Sequence, residues 1–217
     1  MLQPLFSFAL VDILPLKRVI ITVMNKNKIR EFFNSRADGW DEGMVKDDVI
    51  MNIILDNAEV SEGKDILDVA SGTGVMIDYY LQRGVNSVTG VDLSDRMCEI
   101  ASDKFKNQNV KIICGDIEEF ESDRKFDAIV VYNSFPHFPD EERLISHLSS
   151  LLKKGGILTI AHGMSRAFIN SRHSNVSYEV KHDLMEADRL AKLFSEYLEV
   201  TTVISDEKMY QVAGRKI

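Results

Sequence analysis

Asp65-Ile66-Leu67-Asp68-Val69-Ala70-Ser71-Gly72-Thr73-Gly74 decides the fold, because a short apolar run there enters a glycine turn. Everything around it alternates. Gly74 to Arg83 has helical spacing, and Ser87 to Asp92 (SVTGVD) reads as a strand. A Ser94 cap opens a helix to Phe105, followed by a strand over Val110 to Cys114. Phe126 to Tyr132 (FDAIVVY) is a continuous β-branched run, the pattern of a strand buried on both faces. Glu141 to Leu152 reads as a helix, and Gly155-Gly156 introduces the strand ILTIAH, residues 157–162. Strands alternating with helices imply right-handed crossovers, hence an α/β, Rossmann-like, doubly wound and mostly parallel sheet with helices on both faces.

The C-terminus departs from that rhythm. After a helix from Met185 to Tyr197, the strand-like runs Val200 to Ile204 and Met209 to Gly214 are joined by only Ser205-Asp206-Glu207-Lys208. So short a connection joins antiparallel strands, which predicts a C-terminal antiparallel hairpin.

The chain has 217 residues, enough for one domain with a full core. We expect residues 1–23 to be an N-terminal extension outside the fold. Residues 24–217 then form a single domain whose first part, about 24–60, is a helical lid. The apolar start is interrupted by Asp12, Pro15, Lys17 and Arg18, so no run approaches the roughly 20 apolar residues of a membrane span. With a formal net charge of −8, nucleic acid is a poor partner, since phosphate contacts need Lys and Arg. Two cysteines, Cys98 and Cys114, read as buried thiols of a reducing, cytoplasmic compartment.

In an open α/β sheet, ligands bind beyond the carboxyl ends of the strands. Glycines at the first such end permit positive φ and close ligand approach. A dinucleotide fingerprint would place a third glycine where Ile77 stands, which leans away from that ligand. The second strand ends in Asp92, a carboxylate able to accept from both hydroxyls of a ribose. The third ends in Gly115-Asp116-Ile117, an acid for an amino group beside an apolar residue for a ring.

These motifs resemble the class I S-adenosylmethionine-dependent methyltransferase family over about residues 24–217. The matching stretches are DVASGTG (68–74), GVDLS (90–94), GDIEEF (115–120), FDAIVVYNSFPHF (126–138) and LKKGGILTI (152–160). The resemblance implies that the turn residues Asp68, Ala70, Ser71, Gly72 and Gly74 hold the methionine part of S-adenosylmethionine. It places Asp92 and Leu93 at the ribose, Asp116 and Ile117 at the adenine, and Asn133 toward the sulfonium. S-adenosylhomocysteine would be the product. Ala70 departs from the glycine common in the family, a small change.

Methyl transfer from a sulfonium is an in-line displacement that depends mostly on positioning, and a base matters only for an acceptor that arrives protonated. Of the histidines near the fourth and fifth strand ends, His137 is the first candidate base, because histidine titrates near about 6.5. His162 ends the fifth strand as a second candidate. Beyond it, Met164 to Asp183 shows no clear periodicity and carries Arg166, Arg172, His173 and His182. Arg166 and Arg172 would suit an anionic acceptor, while His137, His162 and His173 would make a metal site if they converged. Phe32, Phe33 and Trp40 supply aromatic faces for the lid, with Trp40 the sole tryptophan.

The expected function is methylation of a small-molecule N, O or S nucleophile by a monomer or homodimer. A nicotinamide-dependent oxidoreductase and a non-catalytic S-adenosylmethionine-binding partner or sensor stay open at this point.

Overall fold

A computed structural model describes residues 26–44, 46–106, 108–172 and 180–217, so the expected extension 1–23 and His173 lie outside the described residues. Seven strands form one sheet: β1 Asp65–Val69, β2 Ser87–Asp92, β3 Val110–Cys114, β4 Phe126–Tyr132, β5 Leu152–His162, β6 Glu199–Ser205 and β7 Tyr210–Arg215. Their order is β3-β2-β1-β4-β5-β7-β6. The first five strands pair in parallel, and β7 is antiparallel to both β5 and β6. The doubly wound sheet and its terminal hairpin are thus as the sequence implied. Strand order reverses between β1 and β4, the place where such sheets bind ligands.

Seven α-helices are described. Residues 26–34 form α1, followed by α2 Asp48–Asn57, α3 Ile77–Gln82, α4 Asp95–Lys104, α5 Glu141–Leu151, α6 Arg166–Arg172 and α7 Ala187–Phe194. Alternation along the strands divides the core. Leu67, Val69, Ile129, Val131, Leu158 and Ile160 pack with α5 and α7 on one face. Ile66, Val88, Ala128, Val130 and Ile157 pack with Met51 and Leu55 of α2 and Ile77 and Tyr80 of α3 on the other. A period of two therefore sends successive side chains to different cores.

Some boundaries differ from expectation, each for a local reason. The helix expected from Gly74 begins at Ile77, because Gly72 and Gly74 hold φ of 56° and 88° and the chain is still turning. Strand β5 starts at Leu152 rather than Ile157 and absorbs Gly155 at φ 79°, with a register shift against β4 between Phe126 and Ala128. The aperiodic stretch after His162 contains the short helix α6, whose one buried residue, Ile169, is too little apolar signal to show in the sequence. Only Cys98 is buried; Cys114 is exposed.

Among the described residues, no helix is long and apolar enough to cross a membrane.

Candidate active site

At the end of β1 the chain turns through Ala70 at φ 53° and Gly72 at φ 56°. Alanine tolerates that left-handed conformation poorly, so surrounding contacts must hold it. A Cβ added to Gly72 would meet nothing within 4 Å, so this glycine faces open space at the strand end. The glycine at 74 answers a different need: a Cβ there would come within 2.4 Å of the Phe105 ring. Of the two, Gly72 leaves room for a ligand and Gly74 leaves room for the core.

Two carboxylates sit beneath this turn. Asp68 is fully buried, accepts from the Tyr80 hydroxyl at 3.2 Å through Oδ1, and has no hydrogen-bond partner on Oδ2. Burial pushes its carboxyl up to about 8, with the Asp92 charge adding and the Tyr80 hydrogen bond opposing. Asp92 accepts from Gly72 N–H at 2.7 Å and from Ser94 N–H at 2.8 Å, one per oxygen. Burial raises it above the usual carboxylate value, against the pull of those two N–H groups. Ser71 Oγ is likewise buried without a partner. Ser71 Oγ lies against Gly90 of β2, where an added Cβ would come within 2.9 Å of it. Buried polar atoms are rarely left unsatisfied, so orphaned Asp68 Oδ2 and Ser71 Oγ at the end of β1 fit a polar ligand such as an amino-acid moiety.

The other expected cofactor residues fall around the same edge. Leu93 follows Asp92 and is half-buried. Asp116 caps the one-turn 3₁₀ helix Ile117–Glu119 by accepting from Glu118 N–H at 3.0 Å, and it is ion-paired with Lys26 of α1. Lys26 also pairs with Glu118. Ile117 is buried in the core cluster that includes Phe135 and Leu144. Asn133 takes φ 53°, which asparagine tolerates better than most residues, and its Oδ1 accepts from Gly163 N–H at 3.1 Å, tying the ends of β4 and β5 together.

The N-terminal segment is docked over these loops by polar contacts. Arg30 Nε donates to Leu93 O at 3.0 Å. Asn34 Oδ1 accepts from Ser94 Oγ at 2.6 Å and from Arg96 N–H at 3.2 Å. Asp41 accepts from Thr73 Oγ1 at 2.5 Å and pairs with Lys104, which in turn donates to Thr73 O at 3.0 Å. Between these anchors the aromatic residues meet. Phe33 packs edge-on to Trp40 at 5.6 Å and to the His137 ring at 5.0 Å. Phe33, Trp40 and the first candidate base, the first two far from the third in sequence, form one wall.

His137 ends the one-turn 3₁₀ helix Phe135–His137 just past β4. Its Nδ1 lies 2.8 Å from Val180 O. A carbonyl only accepts, so Nδ1 carries the proton and the basic lone pair falls on Nε2.

Residues 66–156, which hold the first four strands, the glycine turn, the acid at the end of β2 and the turn at His137, match the model of the methyltransferase domain. Over residues 66–156, a little under half of its length, the chain is similar to the methyltransferase domain of class I S-adenosylmethionine-dependent enzymes. It is 30% identical over 142 residues to a malonyl-[acyl-carrier protein] O-methyltransferase of Acetivibrio thermocellus, covering 64% of this chain and 50% of that protein. With a ubiquinone biosynthesis O-methyltransferase of Coxiella burnetii it shares 29% over 143 residues, 62% of this chain and 61% of that one. The match thus spans between half and two thirds of these relatives' lengths. In fold it is similar to the N-methyltransferase NodS of Bradyrhizobium japonicum solved with S-adenosylhomocysteine, at TM-score 0.68 and 16% identity over 87% of this chain and 98% of that one. The DhpI complex with S-adenosylhomocysteine gives 0.66 and 19% over 88% and 96%.

Not every expected residue of this methyltransferase domain joins the wall. His162 is buried to 1% exposure with its ring edge-on to Tyr210 at 6.0 Å, so it sits in the core rather than at an open edge. Arg166 is already engaged: Nε donates to Leu184 O at 2.8 Å, and the guanidinium pairs with Glu186 at 2.8 Å. Among the described residues there is no group of three or more His, Cys, Asp or Glu able to hold a metal. Conversely, sequence reasoning passed over Tyr80, Lys26, Asn34, Asp41 and Lys104. Only Tyr80 had a legible signal, lying three residues after Ile77 on the buried face of α3.

Proposed function

We propose that this chain transfers a methyl group from S-adenosylmethionine to a nucleophilic atom of a small-molecule acceptor. The observation that carries the reading is the convergence of the Asp68–Gly72–Asp92 floor with the Phe33–Trp40–His137 wall at one sheet edge. When bound, S-adenosylmethionine supplies an electrophilic methyl carbon on a sulfonium. Asp68 and Ser71 are the residues that would hold its amino-acid end, and Asp92 its ribose. Phe33 and Trp40 present aromatic faces that attract a cation and exclude water. His137, fixed by Val180 O as the Nδ1–H tautomer, holds a proton acceptor at Nε2 for an acceptor that arrives as a hydroxyl or ammonium. The two curated relatives described above are O-methyltransferases by name, which favours an oxygen nucleophile.

Turnover of methyl-labelled S-adenosylmethionine against panels of phenols, carboxylates, amines and thiols tests this directly. Calorimetry should show binding of S-adenosylmethionine and none of NAD; the reverse preference would overturn the reading. With a hydroxyl acceptor, His137→Gln is expected to lower kcat by about 10²- to 10⁴-fold and to remove the acid limb of the pH–rate profile. An unchanged limb would remove His137 from the base role. The lid makes its own prediction: Trp40 emission should shift when S-adenosylmethionine is added, and an unchanged spectrum at saturation would displace Trp40 from the cofactor edge.

A further inference from the structure

The polar residues of α1 face the sheet instead of water. Lys26, Arg30 and Asn34 follow one another at intervals of four, which puts them on one side of a helix. That side lies over two strand ends. Lys26 pairs with Asp116 and, at 2.5 Å, with Glu118, both just past β3. Arg30 Nε donates to Leu93 O and Asn34 Oδ1 accepts from Ser94 Oγ, both just past β2. Of the nine residues of α1, Ile29 alone is buried. Polar contacts more than apolar area hold the helix down, and such contacts exchange with water or ligand more readily than a packed apolar face does.

Lys26 stands on the acid that the methyltransferase reading gives to adenine. Each Asp116 oxygen already has a donor, Oδ1 from Glu118 N–H at 3.0 Å and Oδ2 from Lys26. The two side chains of the pair are 20% and 15% exposed, so little open surface is left at that acid. Glu118 gives the lysine a second place to stand. Its side chain is 1% exposed, and a carboxylate at that depth is stabilised by a cation beside it.

We infer that Lys26 occupies the place of the cofactor's adenine amino group in the empty protein, and that binding moves the ammonium off Asp116 and onto Glu118 alone. The inference rests on the S-adenosylmethionine reading and adds to it a competitor carried by the chain itself. Binding breaks one ion pair, so the apparent affinity is the intrinsic one multiplied by the fraction of molecules in which Lys26 has let go of Asp116.

Calorimetry on the full chain tests this with two ligands. S-adenosylhomocysteine is compared with S-inosylhomocysteine, whose ring carries a carbonyl where adenine carries its amino group and so offers Asp116 no proton there. Lys26→Met should bind S-adenosylhomocysteine about fivefold or more tightly than wild type, while S-inosylhomocysteine changes by less than about twofold. Lys26→Arg keeps the pairing and should stay within about twofold of wild type for both ligands. The methionine variant leaves Glu118 buried without its cation. Combining Lys26→Met with Glu118→Gln repeats the comparison with no orphaned charge, and the same gain is expected. Weaker or unchanged S-adenosylhomocysteine binding in both methionine variants, or an equal gain for the two ligands, would overturn the inference. Wild-type protein that binds neither ligand would instead overturn the cofactor reading on which it rests.

Discussion

Asp92→Asn is expected to weaken S-adenosylhomocysteine binding by about 100-fold or more, with the fold intact by circular dichroism. The reason lies in what already occupies the carboxylate. Its two oxygens accept from Gly72 N–H and Ser94 N–H, so it shapes the glycine turn before any ligand arrives. An asparagine in either flip points its amide N–H₂ at one of those donors. A buried N–H left unsatisfied costs about 1–3 kcal/mol. The ligand loses as well, because charge-assisted hydrogen bonds from the ribose hydroxyls, worth about 1.5–3 kcal/mol each, become neutral ones. The unsatisfied N–H burdens the free and the bound protein alike and so lowers stability, whereas the change from charge-assisted to neutral bonds at the two ribose hydroxyls approaches about 3 kcal/mol, or about two powers of ten in Kd. An affinity within threefold of wild type would mean that the ribose is held elsewhere.

Asp68 should make cofactor binding depend on pH. With its carboxyl pushed up to about 8 by burial, it is mostly protonated in the empty protein at neutral pH. A ligand ammonium placed beside it favours the ionised form, so binding expels a proton. Affinity for S-adenosylmethionine should therefore rise with pH between about 6 and 8, by up to tenfold per unit. Above about 8 the ligand's own α-amino group loses its proton, and affinity should fall again. Tyr80→Phe removes the hydrogen bond that opposes the upward shift. The acid limb then moves to higher pH, with about a tenfold loss at pH 7. Asp68→Asn should flatten that limb. Calorimetry in two buffers of different ionisation enthalpy counts the expelled proton directly, and a flat wild-type profile would contradict the arrangement. Stability carries the opposite sign. An acid whose folded value exceeds its unfolded one favours the fold most below about pH 4 and loses that contribution as pH rises toward 8. The empty Asp68→Asn protein should accordingly melt above wild type at pH 8.

What could be read from the sequence, and what could not, follows from the range of the interactions. Strands β2, β3 and β4 were legible to the residue, because β-branched runs bounded by glycine, aspartate or aromatic residues carry their own limits. The Ser94 cap was legible too, since it accepts from Met97 N–H within one helical turn. Helix ends were overrun where glycine turns or tertiary contacts stop the helix early, as at α3 and α7. The N-terminal segment read as a helical stretch before the sheet, but the contacts that fasten it were not legible. Arg30 to Leu93, Asn34 to Ser94 and Asp41 to Thr73 join residues that no periodicity connects. Single polar residues were the hardest to read. Arg166 has the composition of an anion-binding residue, yet its partners, Leu184 O and Glu186, stand well along the chain. Asp116 read as a ligand for adenine, and the structure adds a pairing with Lys26 that a ligand at that acid would have to share or replace.

The wall at the sheet edge is assembled from three separate pieces of chain: the segment around Phe33 and Trp40, the turn at His137, and the stretch after α6 that holds Val180. The floor beneath the glycine turn, by contrast, comes from residues 68 to 94 alone. Heritable change can therefore act on the two halves separately. On the proposed reading, insertions or replacements in the three wall pieces change the acceptor while the floor beneath the donor is kept. Two of those three pieces lie outside the 66–156 stretch that matches the domain model. The family is thus written in the part of the chain that is shared, and the individual in the parts added around it.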